Sequence, residues 1–241
     1  MEITSEFVHN NQYSLSIRFS SDGFSLCVYD ELGHLLSKKN VSLPLFSIKE
    51  DAIYESMVHE AETQLEFKNT RLLCESDVYT LIPTVFFQPE TASDYLYFER
   101  EKGKNESIII NQLPAWESTL IYSLPQPLHN ALKRVYPNIA IEHHLASFLS
   151  DTVKDRNKSG MNIWMREKML DVVLITNGKL TLMNSYSYNT PEDFTFFVLN
   201  IFEHLSLDTE TCKVHIYNAG KDTEIRNLLQ KYLKELLIID N

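Results

Sequence analysis

Few residues in this chain have the type and spacing that chemistry needs. His143 and His144 are adjacent histidines, and histidine is the side chain that most often holds a transition metal. Neighbours on a helix project about 100° apart, whereas chelation by one helix face needs an i, i+4 pair. The pair therefore reads as surface or helix-cap positions. Asp171 interrupts the apolar run 169–176, where an unpaired buried carboxylate would be costly. It reads as a strand-edge or solvent-facing residue, with an inherited acidic site as the alternative. Cys27, Cys74 and Cys212 are odd in number, far apart and without C-x-x-C spacing, which argues against a disulfide framework or a zinc site and for buried free thiols. No G-x-S-x-G, H-E-x-x-H, Walker A or G-x-G-x-x-G motif occurs, so nucleophilic, zincin, P-loop and Rossmann chemistry lack their signatures. With six glycines in 241 residues, loops that must wrap closely around a ligand are in short supply.

The bulk properties narrow the class. Apolar side chains make up 44% and charged ones 23%, ordinary for a globular chain of one large domain or two small ones. A net charge of -11 without a basic run opposes nucleic acid and anionic lipid heads. No stretch approaches the ~20 apolar residues of a membrane span, so membrane insertion is not expected. The opening residues lack a basic segment followed by an apolar core, so a cytoplasmic location is expected.

The elements that must position any site follow from periodicity. Tyr13, Leu15, Ile17 and Phe19 alternate with polar residues, the period of a half-buried strand. The turn Ser21-Asp22-Gly23 leads to a second strand over 24–30, and a third follows over 34–43; turns this short make the three an antiparallel meander. Ser47 and Glu50 match a capping box, with a helix expected over 48–67. Strands follow over 71–74, 78–83, 107–113 and 119–124, and 89–100 reads as a weak helix. Tyr95, Tyr97 and Phe98 on it could form a partner surface. A helix after Pro127, a strand over 139–141 and a helix over 143–155 complete the first half.

Beyond the polar, glycine-terminated segment 155–160 the pattern restarts. Strands are expected over 162–165, 169–176 and 179–188, the last two joined by the hairpin dipeptide Asn177-Gly178. Thr190 caps a helix that has Pro191 at its first position. A strand over 212–217, a helix through Ile225 and Leu229, and a strand over 236–239 end the chain. Three antiparallel strands, a helix, a strand and a helix thus occur twice, with extra strands inserted in the first copy. This predicts a duplicated α/β protein with mixed sheets, a first lobe over 1–156 (insert near 71–113) and a second over 157–241.

That order resembles the actin, Hsp70 and sugar-kinase superfamily. Within it the chain is similar to an uncharacterised Bacteroidetes family of unknown function with an actin-like ATPase (ribonuclease H-like) fold. Residues 13–36 and 214–233 carry the likeness best. The resemblance implies a nucleotide held between lobes, with Mg²⁺ organised by an acidic residue and phosphates cradled by small residues at the first hairpin turn of each lobe. Here the first turn offers Asp22 and Gly23, but not the order aspartate, any residue, glycine, threonine; it reads as an ordinary hairpin turn, with a phosphate loop as the alternative. The second, 165–169, has no glycine, and Arg166 and Lys168 read as exposed hairpin charges. The superfamily's adenosine motif is matched by Asn218-Ala219-Gly220, with Ala219 where a glycine is usual; a strand-to-helix turn needs the same residues. The expectation is a non-catalytic adaptor or assembly module, with no cofactor and with a protein partner or self-association. The alternative is a nucleotide-binding protein or slow ATPase using ATP and Mg²⁺ through Asp22, Gly23, Asn218 and Gly220.

Overall fold

Alternation at the start of the chain builds the first strand of a mixed sheet. The computed structural model describes residues 12–151, 159–218 and 223–239, and the chain divides into two compact units, 1–147 and 148–241. In the first unit the elements are β1 (Ser14–Ser20), β2 (Gly23–Tyr29), β3 (Leu35–Ser42), α1 (Glu50–Val58), β4 (Asn69–Cys74), β5 (Tyr79–Pro83), α2 (Ala92–Leu96), β6 (Glu106–Leu113), β7 (Ser118–Pro125), α3 (Gln126–Val135) and β8 (Ile141–His143). Leu15, Ile17 and Phe19 of β1 are buried, while Ser14, Ser16 and Arg18 on its other face are half-buried. The main sheet runs β3-β2-β1-β4-β8. Its first three strands are antiparallel neighbours, and β4 and β8 add on in parallel. Ile53 and Met57 of α1 and Leu128, Ala131 and Leu132 of α3 close the core over this sheet.

After α4 (His144–Asp151), the second unit repeats the scheme with β9 (Gly160–Arg166), β10 (Met169–Thr176), β11 (Lys179–Ser187), α5 (Pro191–His204), β12 (Val214–Tyr217), α6 (Thr223–Leu229) and β13 (Leu236–Ile239). Its sheet runs β11-β10-β9-β12-β13, with the same two antiparallel and two parallel pairings. Equal strand order and equal strand senses in both units make the chain a duplication. Asn177 (φ 52°) and Gly178 (φ 73°) are both left-handed, as the two-residue turn that matches strand twist requires. Thr190 accepts from the Asp193 amide while the Asp193 carboxylate accepts from the Thr190 amide, the reciprocal cap that starts α5.

The inserted strands form a separate sheet, β5-β7-β6. One face, with Tyr79, Tyr122 and Ile109, joins the first unit's core. The Asn111 side chain then imitates a neighbouring strand: its Oδ1 accepts from the His143 amide at 2.7 Å and its Nδ2 donates to the Ile141 carbonyl at 2.9 Å. The Tyr122 hydroxyl donates to that same carbonyl at 2.9 Å.

Three local expectations need correction. The helix expected over 48–67 ends at Val58, because the Thr63 hydroxyl can donate to the Met57 or Glu60 carbonyl and Gln64 Nε2 donates to the Val58 carbonyl; side chains thus cap carbonyls that further helix would have used. The Ser47–Glu50 capping box does not form: Lys49 is the N-cap, Ser47 donates to the Pro44 carbonyl, and Glu50 accepts from Asn130 of α3. The strand expected over 139–141 instead occupies Ile141–His143, where it pairs with Leu72–Cys74.

Candidate functional site

The first hairpin turn is a two-residue link, Ser21-Asp22, closed by the pairing of Ser20 with Gly23. The Ser20 hydroxyl donates to the Asp22 carboxylate at 2.6 Å, and the Asp22 carbonyl accepts from the Leu43 amide at 2.9 Å. Gly23 has φ +151°, and a Cβ there would lie 2.0 Å from the Val41 carbonyl oxygen. The close approach of β2 to β3 is therefore sufficient reason for a glycine at this position. Beside the turn is an open cleft of about 370 Å³ lined by polar groups of Arg18, Ser20, Asp22, Ser25, Asn40 and Ser42. Arg18 in turn lies 3.9 Å from the Glu75 carboxylate.

The corresponding turn of the second unit is the link Glu167-Lys168, closed by Arg166 opposite Met169. A two-residue turn fixes the register beyond it: Asp171 sits opposite Trp164 on β9 and Ser185 on β11. Arg166 lies two residues beyond Trp164 along the same strand, so its side chain shares a face with Asp171 on the diagonal. The Arg166 Nε donates to Asp171 Oδ2 at 2.7 Å and a second guanidinium nitrogen donates to Oδ1 at 2.9 Å. The Ser185 hydroxyl donates to Oδ1 at 2.5 Å. Asp171 is 0% exposed and the Arg166 side chain 11%. Both expectations for these residues are overturned: Asp171 does not face solvent, and Arg166 is not an exposed turn charge. The reason is that β10 is buried on both faces, so a carboxylate there must meet a cation and hydroxyl donors. The diagonal placement was available in the sequence once the turn length was known, and it is the signal that residue-by-residue reading passed over.

Asn218 follows β12 directly and lies in the left-handed region, φ +61°. Its Nδ2 donates to the Met165 carbonyl at 2.9 Å, which ties it to the strand leading into the Glu167-Lys168 turn. Asp22 and Gly23 belong to the first unit and Asn218 to the second; Ala219 and Gly220 lie outside the described residues.

The histidine pair is buried, not superficial. His143 is 0% exposed and His144 4%. The Leu145 amide donates to His143 Nδ1 at 3.2 Å, which leaves Nε2 to carry the proton and donate to the Ser76 carbonyl at 2.9 Å. Both ring nitrogens are thus in use, and the ring packs on Tyr79, Tyr122 and His144 with centroids 4.4 to 5.0 Å away. The position of this pair at the β8–α4 junction, inside the core, overrides the surface preference of histidine. Cys74 is buried, Cys27 and Cys212 half-buried, and all three are free thiols. Among the described residues, no group of three or more His, Cys, Asp or Glu side chains is placed to hold a metal ion, and no helix is long and apolar enough to cross a membrane.

A fit of ATP and Mg²⁺ would ask these turns for free backbone amides and a free carboxylate. The turn at Asp22 has its carboxylate hydrogen-bonded within the turn, and the turn at Arg166 carries bulky side chains, with its arginine directed into the sheet. These residues do not make a phosphate cradle of the usual kind.

Comparison with known proteins agrees with the topology. A Bacteroides thetaiotaomicron protein with an actin-like ATPase fold and unknown function superposes with a TM-score of 0.83 and 25% identity, over 97% of this chain and 93% of that one. A chain of the PilM–PilN type IV pilus biogenesis complex superposes with a TM-score of 0.56 and 9% identity, over 94% of this chain and 88% of that one, a likeness of fold alone. None of the curated proteins matches. The sequence of residues 4–236 matches the family described as protein of unknown function (DUF3822), and with strand order, strand senses and neighbours in agreement, the chain belongs to that family and has an actin-like ATPase fold.

Proposed function

We propose that this chain is a non-catalytic binding module, an adaptor or assembly protein that keeps the actin-like architecture and presents its surfaces to a protein partner. The observation that carries this reading is the inward Arg166–Asp171 pair. At the turn where the superfamily implies a phosphate cradle, the cation is committed to a buried carboxylate of its own sheet. A phosphate arriving there would have to displace a bidentate, desolvated ion pair, which is among the stronger side-chain interactions. Support also comes from the pilus biogenesis neighbour, which has the same fold and works within a complex.

The test is calorimetry and thermal melting with ATP and ADP, with and without Mg²⁺. A ligand of the folded state raises the melting temperature progressively with its concentration. The expected result is no heat and no shift at about 1 mM nucleotide; micromolar binding would overturn the proposal.

A second reading is favoured by the polar cleft beside Asp22, where Arg18, Ser20, Ser25, Asn40 and Ser42 converge. Those donors could hold a nucleotide phosphate in an unusual way. Micromolar ATP binding abolished by Ser25→Trp would establish it in place of the first.

A further inference from the structure

The second face of the inserted sheet is only partly covered. Ile82 and Ile121 pack against Ala92 and Leu96 of α2, with Phe87, Tyr95, Tyr97 and Ile108 around them. Since α2 is five residues long, its cover ends early. Next to it lies a groove of about 370 Å³ lined by Thr80, Ile82, Tyr95, Leu96, Phe98 and Arg100. Phe98 on its wall is 86% exposed, and on the helical turn after β5 Val85 is 83% and Phe86 66% exposed. The Tyr95 hydroxyl donates to the Phe86 carbonyl at 2.9 Å, which joins that turn to the groove wall. Large apolar side chains set together in water at this exposure mark an interaction surface.

The charges around these residues select the occupant. Glu90, Asp94, Glu99 and Glu101 are all exposed, and against these four acids residues 84–101 hold a single cation, Arg100, beside Glu99 on the groove wall. A rim with this acidic excess, Arg100 included, repels anionic lipid and nucleic acid. In a two-fold pair of identical chains, where the same patch serves both sides, the rim would face itself. Strand β5 is short and ends in Pro83, a device that blocks edge pairing, so recognition must come from side-chain anchors. We propose that this surface binds a segment of a partner protein in which aromatic or aliphatic side chains are flanked by lysine or arginine. The proposal names the partner chemistry of the binding role proposed above and rests on it.

The test is selection of randomised displayed peptides on the full chain, with two variants for comparison: Phe86→Asp with Phe98→Asp, and Glu90→Lys with Asp94→Lys and Glu99→Lys. Every changed side chain is exposed, and circular dichroism checks that both variants fold. Selected peptides are expected to share apolar anchors with basic flanks. Their affinity should fall at least tenfold in the aspartate variant, fall severalfold in the lysine variant and weaken with salt. The proposal is overturned by acidic or charge-indifferent peptides, by binding that survives both variants, or by no enrichment. It is also overturned by dimerisation that the aspartate variant abolishes, or by binding to phosphatidylglycerol–phosphatidylcholine vesicles. Nucleotide calorimetry gives an independent answer on the non-catalytic reading, so the two can fail separately.

Discussion

The Arg166 guanidinium meets the fully buried Asp171 carboxylate through two hydrogen bonds of 2.7 and 2.9 Å across the β9–β10 hairpin. The pair holds the turn that, by resemblance, would have faced a phosphate. Its energetics follow from burial: each ion has lost its water, and each relies on the other.

Removing one partner should therefore be far worse than removing both. Asp171→Ala is expected to cost about 3–5 kcal/mol, because it strands the guanidinium in a dry sheet. The combined Arg166→Met, Asp171→Leu variant should recover much of that loss. Urea denaturation of the two variants beside the parent checks the order; equal losses would show that the pair is not coupled.

Asn111 should matter through its two backbone contacts rather than its polarity. Asn111→Leu keeps the volume but leaves the His143 amide and one bond to the Ile141 carbonyl unmade, at about 1–3 kcal/mol for the stranded group. Hydrogen exchange should speed up at His143 in the variant. An unchanged rate there would mean that another group takes over.

The cysteines should separate by burial. Burial pushes the Cys74 thiol far above its usual pKa, and burial also raises Cys212. Only a thiolate attacks a disulfide reagent. At mildly alkaline pH, Cys74 is expected to stay unmodified in the native chain while all three thiols react once guanidinium unfolds it. Mass mapping of the modified cysteines decides this, and rapid native labelling of Cys74 would contradict it.

His129 supplies a pH dependence. Its Nδ1 is buried without a hydrogen-bond partner, and burial, then Lys133, lowers its pKa below 6.5. A depressed histidine pKa means that the folded state binds fewer protons than the unfolded one, so stability rises with pH. This contribution is fully present above pH 6.5 and is lost as the pH falls through the folded-state value. Melting temperatures should decline on acidification below neutrality, and less steeply in His129→Gln. Parallel profiles for the two proteins would exclude this histidine as a source.

The sequence by itself determined the meander of each unit, the Asn177-Gly178 hairpin, the Thr190 cap and the duplicated order of elements. These features are written in local alternation, turn residues and caps, which act within a few residues. It also marked Tyr95, Tyr97 and Phe98 as candidate contact residues; Tyr95 and Tyr97 are half-buried against Ile82, Ala92, Leu96 and Ile121, and Phe98 alone of the three is exposed. Tertiary structure decided what happened to the polar residues. His143 is buried because Asn111 and Tyr122 from the inserted strands and Ser76 from the link between β4 and β5 arrive to satisfy or pack against the last strand of the sheet. Asp171 is buried because a cation from the preceding strand and a hydroxyl from the following one meet it there. A lone polar side chain in an apolar run is costly or comfortable according to its partners, and partners brought by strand pairing are set by register, which no local pattern states.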